Sequence, residues 1–201
     1  MSKHARFNRD EVVEKATNLY WEKGFHGTSM RNLQDVVDMR PGSIYATFGS
    51  KENLFKEALQ HYAGAFEVQF NKCLEQQPSI LGALKLFVES AVVDETGTAP
   101  SAMCMMVKTI AELTEEQAEL LAETKQLLSG VESEFVKVIR EAIVRGELDE
   151  SKDPEMLARY LQVQIIGLRT YARANNNHQA VLALVDDIFA TGPLAGAVAQ
   201  D

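Results

Sequence analysis

Hydrophobic residues recur along nearly all of the chain at intervals of three and four, the spacing that places them on one face of a helix. Strand-like alternation of apolar and polar residues is almost absent. The first apolar stripe lies between Asp10 and Gly24 and consists of Val12, Val13, Ala16, Leu19 and Tyr20. This pattern predicts an all-α fold.

Turn-forming residues divide the pattern into separate helices. Thr28 or Ser29 is placed to cap the second helix, Pro41 opens a short third helix, and a long fourth helix begins at Ser50 and ends before Pro78. Further helices are expected over about 79–92, 102–113, 115–145, 154–174 and 179–192. The chain therefore reads as three short helices followed by a larger helical body.

The charge is distributed unevenly between these two parts. The net charge of -9 would by itself repel a polyanion. Residues 1–60, however, hold nine Lys and Arg against eight Asp and Glu, whereas residues 61–201 hold eleven against twenty-one. Lys3, Arg6 and Arg9 all precede the first acidic residue. A near-neutral head with a basic arm is thus compatible with binding to nucleic acid.

The residues that usually mark enzymes, metal sites or membrane proteins are missing from the pattern. The four histidines are scattered, and neither a glycine-rich phosphate loop nor a nucleophile elbow occurs. Cys73 and Cys104 are too few for a disulfide framework and lack metal-ligand spacing. No apolar run approaches the ~20 residues that span a bilayer. We therefore expect a cytoplasmic, non-enzymatic protein without a cofactor or metal.

The second and third helices are brief, amphipathic and separated only by residues 38–41, as in a helix-turn-helix. Ile44 and Phe48 lie four residues apart in the third helix, a spacing that predicts their burial. The residues predicted to face outward are Gly42, Ser43, Tyr45, Ala46 and Thr47. Small side chains let a helix enter the DNA major groove, and hydroxyl groups can contact phosphates and base edges.

Residues 25–55, FHGTSMRNLQDVVDMRPGSIYATFGSKENLF, resemble the N-terminal signature of TetR-family repressors. The residues that match it in register are Gly24, Phe25, Thr28, Ser29, Gly42, Ile44, Tyr45, Phe48, Ser50, Lys51, Glu52 and Leu54. The chain departs from the signature at Gln34, Val37 and Asp38, where the family usually has two alanines and a turn glycine. Asp38 tolerates a left-handed backbone better than most residues, so the turn is expected to persist.

The resemblance implies a domain division and a set of DNA contacts. Residues 6–66 would form the DNA-binding domain, with the helix-turn-helix at about 29–48, and residues 67–201 a ligand-binding and dimerisation domain. The implied DNA contacts are Thr28, Ser29, Arg40, Pro41, Gly42, Ser43, Tyr45, Ala46, Thr47 and Lys51. Thr28 or Ser29 and Lys51 would contact phosphates, and Arg40 would reach a phosphate or, as the alternative, a guanine edge. Plain structural roles also fit: Thr28 as a cap, Lys51 as a solvated charge, Tyr45 as a half-buried ring.

The resemblance further implies a homodimer that binds a palindromic double-stranded operator, with the last two long helices at the dimer interface. Apolar stripes on these helices supply candidate interface residues: Leu157, Leu161, Ile165, Leu168, Val181, Leu184, Val185 and Ile188. The alternative is that both stripes face the core of their own protomer.

A small-molecule effector would bind in the body. The soft side chains of Met103, Cys104 and Met106 suit an irregular pocket, and candidate wall residues on neighbouring helices are Phe66, Phe87 and Tyr160. Core filling explains a methionine-rich helix equally well. We thus predict a repressor that a small molecule releases from its operator. The alternatives are a repressor that senses electrophiles or oxidants through Cys104, or an all-α interaction module whose helix-turn-helix is only structural.

Overall fold

The computed structural model describes residues 8–93, 97–175 and 177–196, and these form nine α-helices and one 3-10 turn without any strand. The all-α prediction is therefore confirmed. The predicted arm residues Lys3 and Arg6, the predicted start of the first domain at residue 6 and the predicted end of the second at residue 201 lie outside the described part. The helices are α1 Arg9–Lys23, α2 Met30–Val37, α3 Pro41–Phe48, α4 Lys51–Gln76, α5 Ile80–Val92, α6 Met105–Glu112, α7 Ala118–Val144, α8 Pro154–Asn175 and α9 His178–Ala190.

These helices form two compact units. The first contains the described residues of Met1–Gly64 together with Met105–Leu127, and the second those of Ala65–Cys104 and Leu128–Asp201. The boundary expected at residue 66 lies close to Gly64. Residues 105–127, which the resemblance assigns to the body, join the N-terminal unit instead. The functional meaning of the 6–66 and 67–201 division stays a prediction.

The core of the first unit is built on the stripe of α1 that the sequence predicts, and all five of its residues are buried. The ring of Tyr20 packs edge-on against that of Phe55 with 4.7 Å between centroids. The Tyr20 hydroxyl donates to the Lys51 carbonyl oxygen at 3.2 Å, and burial raises the pKa of this phenol. Leu33 of α2 and Ile44 of α3 are fully buried in the same unit.

Ser29, rather than Thr28, caps α2. The Ser29 Oγ accepts from the Asn32 amide at 3.1 Å, and the Asn32 Oδ1 accepts from the Ser29 amide at 3.0 Å, which completes a capping box. The Thr28 side chain is fully buried, and its hydroxyl donates to the Gly24 carbonyl oxygen at 2.7 Å.

The turn between α2 and α3 depends on a left-handed residue. Asp38 ends α2 with φ 52 and ψ 45, and it is the only residue other than glycine with positive φ in the described part. This confirms the expectation that Asp38 takes the conformation of a turn glycine. After it, Pro41 opens α3 at a position where its missing N–H costs nothing.

Asp38→Gly is expected to raise the free energy of unfolding slightly, by up to ~1 kcal/mol, because the left-handed conformation is unstrained in glycine. Asp38→Ala is expected to lower it by ~1 kcal/mol, since alanine carries the Cβ strain without aspartate's tolerance. Urea denaturation of the two variants measures both changes. Equal shifts of the same sign would show that something other than backbone strain governs this position.

The second unit has a core formed by α5, α7, α8, α9 and the end of α4. Four aromatic rings meet there, those of Phe66, Phe70, Phe87 and Phe135, and the Phe66 centroid lies 5.0 Å from both the Phe87 and the Phe135 centroids. The Glu147 carboxylate accepts from the amides of Ile80 and Leu81 at 2.9 and 2.8 Å. It thereby satisfies two of the free N–H groups at the start of α5.

Six of the eight residues predicted for the dimer interface belong to this core instead. Leu157, Leu161, Leu168, Val181, Val185 and Ile188 are all buried within the protomer. Ile165 is partly buried and packs against the same core, and only Leu184 is exposed. These six fit the alternative in which the stripes face the core of their own protomer, and their place in a dimer interface stays a prediction.

Two predicted helix boundaries also differ. The helix expected over 102–113 begins at Met105, because side chains engage the preceding backbone: Arg169 Nε donates to the Ala102 carbonyl oxygen at 2.8 Å and Ser101 Oγ accepts from the Met103 amide at 3.3 Å. The helix expected over 115–145 opens with a 3-10 turn at Glu115–Gln117 and becomes α7 at Ala118.

Candidate nucleic-acid interface and its supports

The third helix presents the face that the sequence predicts. Ile44 and Phe48 are buried, at 0% and 4% exposure, and fix one side of α3 in the core of the first unit. Gly42, Ser43, Tyr45 and Ala46 are exposed away from this side, and Pro41 is exposed at the start of the helix. Thr47 is half-buried at the edge of this face, and its hydroxyl donates to the Ser43 carbonyl oxygen at 2.8 Å.

The exposed face of α3 is flat except for one side chain. A Cβ placed on Gly42 would meet no atom within 4 Å, so this glycine leaves open space at the start of the helix. Tyr45 is the large residue of the face, at 48% exposure. Such a surface can approach the edges of base pairs closely while one phenol supplies hydrogen bonding and apolar contact.

Of the residues expected to contact phosphates, Ser29 and Arg40 are accessible. Ser29 is exposed at the start of α2, where helix N–H groups favour an anion. Arg40 is exposed at the start of α3 and its side chain makes no capping hydrogen bond. Thr28 lies beneath the surface and its hydroxyl donates to the Gly24 carbonyl oxygen, so it is not the cap of α2, and its phosphate contact stays a prediction.

Lys51 has an internal partner that the sequence did not predict. Its Nζ donates to the Phe25 carbonyl oxygen at 2.6 Å and lies 4.2 Å from the Phe25 ring centroid. Desolvation lowers the pKa of this ammonium, while Glu52 and Glu112 oppose that shift. Lys51 thus fastens the connection between α1 and α2. Its ammonium has three N–H donors, and a phosphate contact stays a prediction.

Helix α6 binds the same connection through two opposite charges. The Glu112 carboxylate accepts from the backbone amides of Phe25 and His26 at 3.0 and 2.6 Å. One turn earlier, Lys108 Nζ donates to the carbonyl oxygens of Trp21 and Glu22 at 2.6 and 3.1 Å, at the end of α1. Each charge meets the backbone dipole of opposite sign.

These two α6 residues were missed by the sequence analysis. Lys108 and Glu112 are four residues apart, which is also the spacing of an ordinary ion pair on a solvated helix face. The pattern alone does not indicate that their partners are backbone groups far away in the chain. Only the fold reveals that α6 supports the helix-turn-helix unit.

The second unit carries an exposed apolar stripe along α8. Met156, Val163 and Tyr171 are exposed at 49%, 64% and 43%, and their spacing places them on one side of the helix with Gly167. A Cβ on Gly167 would meet no atom within 4 Å. On α9, Leu184 is exposed at 46%. These residues, called the α8–α9 stripe below, are apolar positions that the protomer leaves uncovered.

The predicted effector-binding residues are divided between the two units. Phe66, Phe87 and Tyr160 contribute to the aromatic core of the second unit. Met103 and Cys104 are partly exposed residues of that unit and lie immediately before α6. Met106 lies in the first unit and is buried at 3% exposure. Their role in binding an effector stays a prediction.

The two thiols differ in their surroundings. Both cysteines are free; Cys73 is buried and Cys104 is partly exposed. Desolvation raises the pKa of the Cys73 thiol, which disfavours its reactive thiolate. Among residues 8–93, 97–175 and 177–196, no group of three His, Cys, Asp or Glu side chains could hold a metal ion. None of the helices described there is long and apolar enough to cross a membrane.

Two family descriptions match the chain, one for each part. Residues 12–58 match the bacterial regulatory proteins of the tetR family. Residues 81–186 match the C-terminal domain described as tetracyclin repressor-like. The first match contains the helix-turn-helix, and the second contains Phe87 and Phe135, two of the four aromatic rings of the second unit's core.

Individual relatives agree with both matches. The chain is 26% identical over 168 residues to the HTH-type transcriptional repressor ComR of Escherichia coli K12, a span of 83% of this chain and 80% of that protein. A structure of the TetR-family regulator CifR with substituted cysteines, in complex with a 26-bp double-strand operator, has a TM-score of 0.80 and 25% identity over 98% of this chain and all of that one. The reduced form of E. coli NemR shares the fold, with a TM-score of 0.73 and 19% identity over 88% and 92% of the two chains.

Proposed function

Because the chain belongs to the TetR family of bacterial regulatory proteins, we propose that it is a homodimeric repressor that reads a palindromic operator with α3 and leaves it when a small molecule binds the second unit. The observation that carries the DNA part is the sidedness of α3. Ile44 and Phe48 anchor one face in the core, while Gly42, Ser43 and Tyr45 are displayed on the other.

The DNA contacts proposed here follow from exposure. Tyr45, Ser43 and Ala46 face the groove, with Thr47 at the edge. Ser29 and Arg40, at the starts of α2 and α3, contact phosphates. The complex of CifR with operator DNA supports this assignment, since that protein shares the fold over its whole length.

The dimer is proposed to form through the α8–α9 stripe. Large apolar side chains on a helix surface gain stability when they are covered, and Met156, Val163 and Leu184 are uncovered in the protomer. Gly167 has open space around it, so a second helix can approach closely there. A two-fold dimer also supplies two copies of α3, which a palindromic site requires.

Release by an effector is proposed to act through elements that belong to both units. α4 runs from Lys51, directly after the turn that ends α3, into the second unit at Ala65. α6 begins immediately after Cys104 and bonds the α1–α2 connection through Lys108 and Glu112. An effector shifts the population of binding-competent dimers only if it binds one arrangement of these helices more tightly than the other. The difference between the two affinities sets the size of the shift.

A thiol trigger is the second candidate for release, and the position of Cys104 favours it. This thiol is partly exposed and directly precedes α6, whereas Cys73 is buried. Modification of Cys104 would add bulk at the start of the helix that supports the DNA-binding unit. The two triggers separate on treatment of the DNA complex with N-ethylmaleimide, with Cys104→Ser as the control variant.

Tyr45→Ala is expected to weaken binding to the operator by tenfold or more, corresponding to the ~1–3 kcal/mol of one specific base contact. Binding to a random duplex should change little, because phosphate contacts dominate it. The measurement is fluorescence anisotropy with DNA from upstream of the protein's own gene, titrated over a salt series. Val68→Ala removes an exposed apolar side chain from α4, at 57% exposure, and serves as the control.

Thr47→Ala should reduce operator binding as well. If the unsubstituted protein binds both duplexes equally, and salt abolishes that binding, the repressor proposal is wrong and the all-α interaction module becomes the better reading. If Tyr45→Ala and Val68→Ala behave alike while the operator is preferred, sequence reading occurs on another surface.

A further inference from the structure

Arg9, the first residue of α1, joins three elements of the first unit with one side chain. Its Nε and Nη2 atoms donate to the two carboxylate oxygens of Glu57 on α4, at 3.2 and 2.6 Å. Its Nη1 atom donates to the Thr47 carbonyl oxygen near the end of α3, at 3.3 Å. The guanidinium carbon lies 4.6 Å from the centroid of the Phe48 ring.

This arrangement uses properties that only arginine has. The planar guanidinium binds a carboxylate through two parallel N–H groups and stacks on an aromatic ring at the same time. A third donor satisfies one of the carbonyl groups left open at the end of α3. The positive charge also complements the negative end of that helix.

Arg9 contacts the last two residues of α3, Thr47 and Phe48, and leaves the exposed face of this helix, called the reading face here, uncovered. Phe48 is buried, and the helix ends there because Gly49 takes φ 80 and donates its amide to the Tyr45 carbonyl oxygen at 2.8 Å. Thr47, whose carbonyl Arg9 binds, lies at the edge of the reading face, and Tyr45 projects from it. A guanidinium fixed at this end restrains how α3 tilts.

We propose that Arg9 is a positioning residue for operator reading: held in plane by Glu57, it fixes the C-terminal end of α3 and with it the exposed side chain of Tyr45 and the half-buried side chain of Thr47. The inference rests on the proposed function and names a residue that sets its specificity. It also revises the sequence-based view of Arg9 as part of a basic arm, since its charge is paired with Glu57 at the surface of the unit.

The rival role for Arg9 is a direct phosphate contact, and Glu57 distinguishes the two. In a phosphate role, Glu57 competes with DNA for the guanidinium, so Glu57→Gln should tighten binding to any duplex. In a positioning role, Glu57 holds the guanidinium in place, so the same variant should weaken binding to the operator only.

The experiment measures the affinity of Arg9→Lys, Arg9→Met and Glu57→Gln for the operator and for a random duplex of equal length, over a salt series. We expect each variant to weaken operator binding about tenfold, which is ~1.4 kcal/mol, with binding to the random duplex and the salt slope unchanged. Arg9→Lys retains the charge but loses the planar fork, so it should fail like Arg9→Met. The double variant Arg9→Met/Glu57→Gln should be no weaker than Arg9→Met alone, because the two residues act as one unit.

Three results would overturn the proposal. Tighter binding by Glu57→Gln, with a salt slope reduced by about 0.9 in Arg9→Met, would assign Arg9 to a phosphate. Full retention of operator binding by Arg9→Lys would show that a positive charge at position 9 is sufficient and that the planar guanidinium is not needed. No change in any variant would make the contact a surface ion pair of little consequence.

A second readout keeps the inference separate from the proposed function. Hydrogen exchange at the Gly49 amide, which donates to Tyr45, reports whether the end of α3 is held, without DNA. Exchange at the Gly49 amide should be faster in Arg9→Lys and Glu57→Gln than in the unsubstituted protein, while exchange in α1 stays unchanged. We expect this result even if no operator is found. Unchanged exchange at Gly49 would refute positioning. If Arg9→Met fails to fold, the other two variants carry the test.

Discussion

Replacing Gly24 with alanine is expected to lower the free energy of unfolding of the first unit by ~3 kcal/mol or more, from backbone strain and lost hydrogen bonds together. Gly24 has φ 79 and ψ 176, a conformation that is essentially reserved for glycine. An added Cβ would also lie 2.5 Å from Glu112 Oε2 and 2.9 Å from Oε1. The carboxylate would have to leave the amides of Phe25 and His26 unpaired.

Gly49→Ala is the matched control for Gly24→Ala. It has a similar φ of 80, but its added Cβ would meet only the flexible side-chain nitrogen of Asn53, at 3.1 Å. Strain alone should cost ~1–3 kcal/mol there. Both variants are measured by urea denaturation followed by Trp21 fluorescence; because Gly24 and Gly49 differ in ψ, at 176 and -51, the Glu112→Ala background is what isolates the contribution of Glu112. An equal loss of unfolding free energy in the two variants would contradict a role for Glu112. So would a Gly24→Ala loss that is just as large in a Glu112→Ala background.

The case of Gly24 shows which part of the site the sequence could predict. Its place in the family signature is visible in the sequence, and its positive φ at the end of α1 follows from ordinary helix-ending rules. The sequence did not predict the contact with α6 that leaves no room for a Cβ at position 24. Glu112 becomes its neighbour only through the fold, and neither periodicity nor local propensity contains that pairing.

Faces of short helices were the easiest features to predict, because one rule governs them. In α3, the four-residue spacing of Ile44 and Phe48 determines which side is buried, and the reading face follows by exclusion. Arg9 and Lys51 were harder for the opposite reason. A long flexible cation can be solvated, bind DNA or bind a distant backbone group, and its sequence position does not discriminate among these.

The apolar stripes of α8 and α9 illustrate a different ambiguity, between residues of the protomer core and residues of the proposed dimer interface. α8 and α9 have apolar residues on more than one side, and periodicity marks each stripe without indicating which one the protomer covers. Leu161 and Val185 were chosen from the stripes that turn out to be core. Val163 lies on the other side of α8, between Gln162 and Gln164, in a shorter stripe that Gly167 interrupts, so periodicity alone does not single it out.

Val163→Arg is expected to convert the proposed dimer to a monomer and to weaken operator binding at least a hundredfold. Val163 is 64% exposed in the protomer, in the middle of the α8–α9 stripe, so arginine there should not disturb folding. In a two-fold interface, however, it places two unpaired cations in an apolar seam, at a cost of several kcal/mol. A monomer then loses the gain in effective concentration that two linked half-site contacts provide.

Sedimentation velocity at micromolar protein measures the first effect, and the anisotropy titration with operator measures the second. Val144→Arg is the control, since Val144 is 81% exposed on α7 and is not part of the stripe. It should remain a dimer and bind the operator normally, while both variants should melt at the same temperature as the unsubstituted protein. A persistent Val163→Arg dimer would place the interface elsewhere. A monomer that keeps full operator affinity would show that operator binding does not need dimerisation. The proposed requirement for a palindromic operator would then be wrong as well.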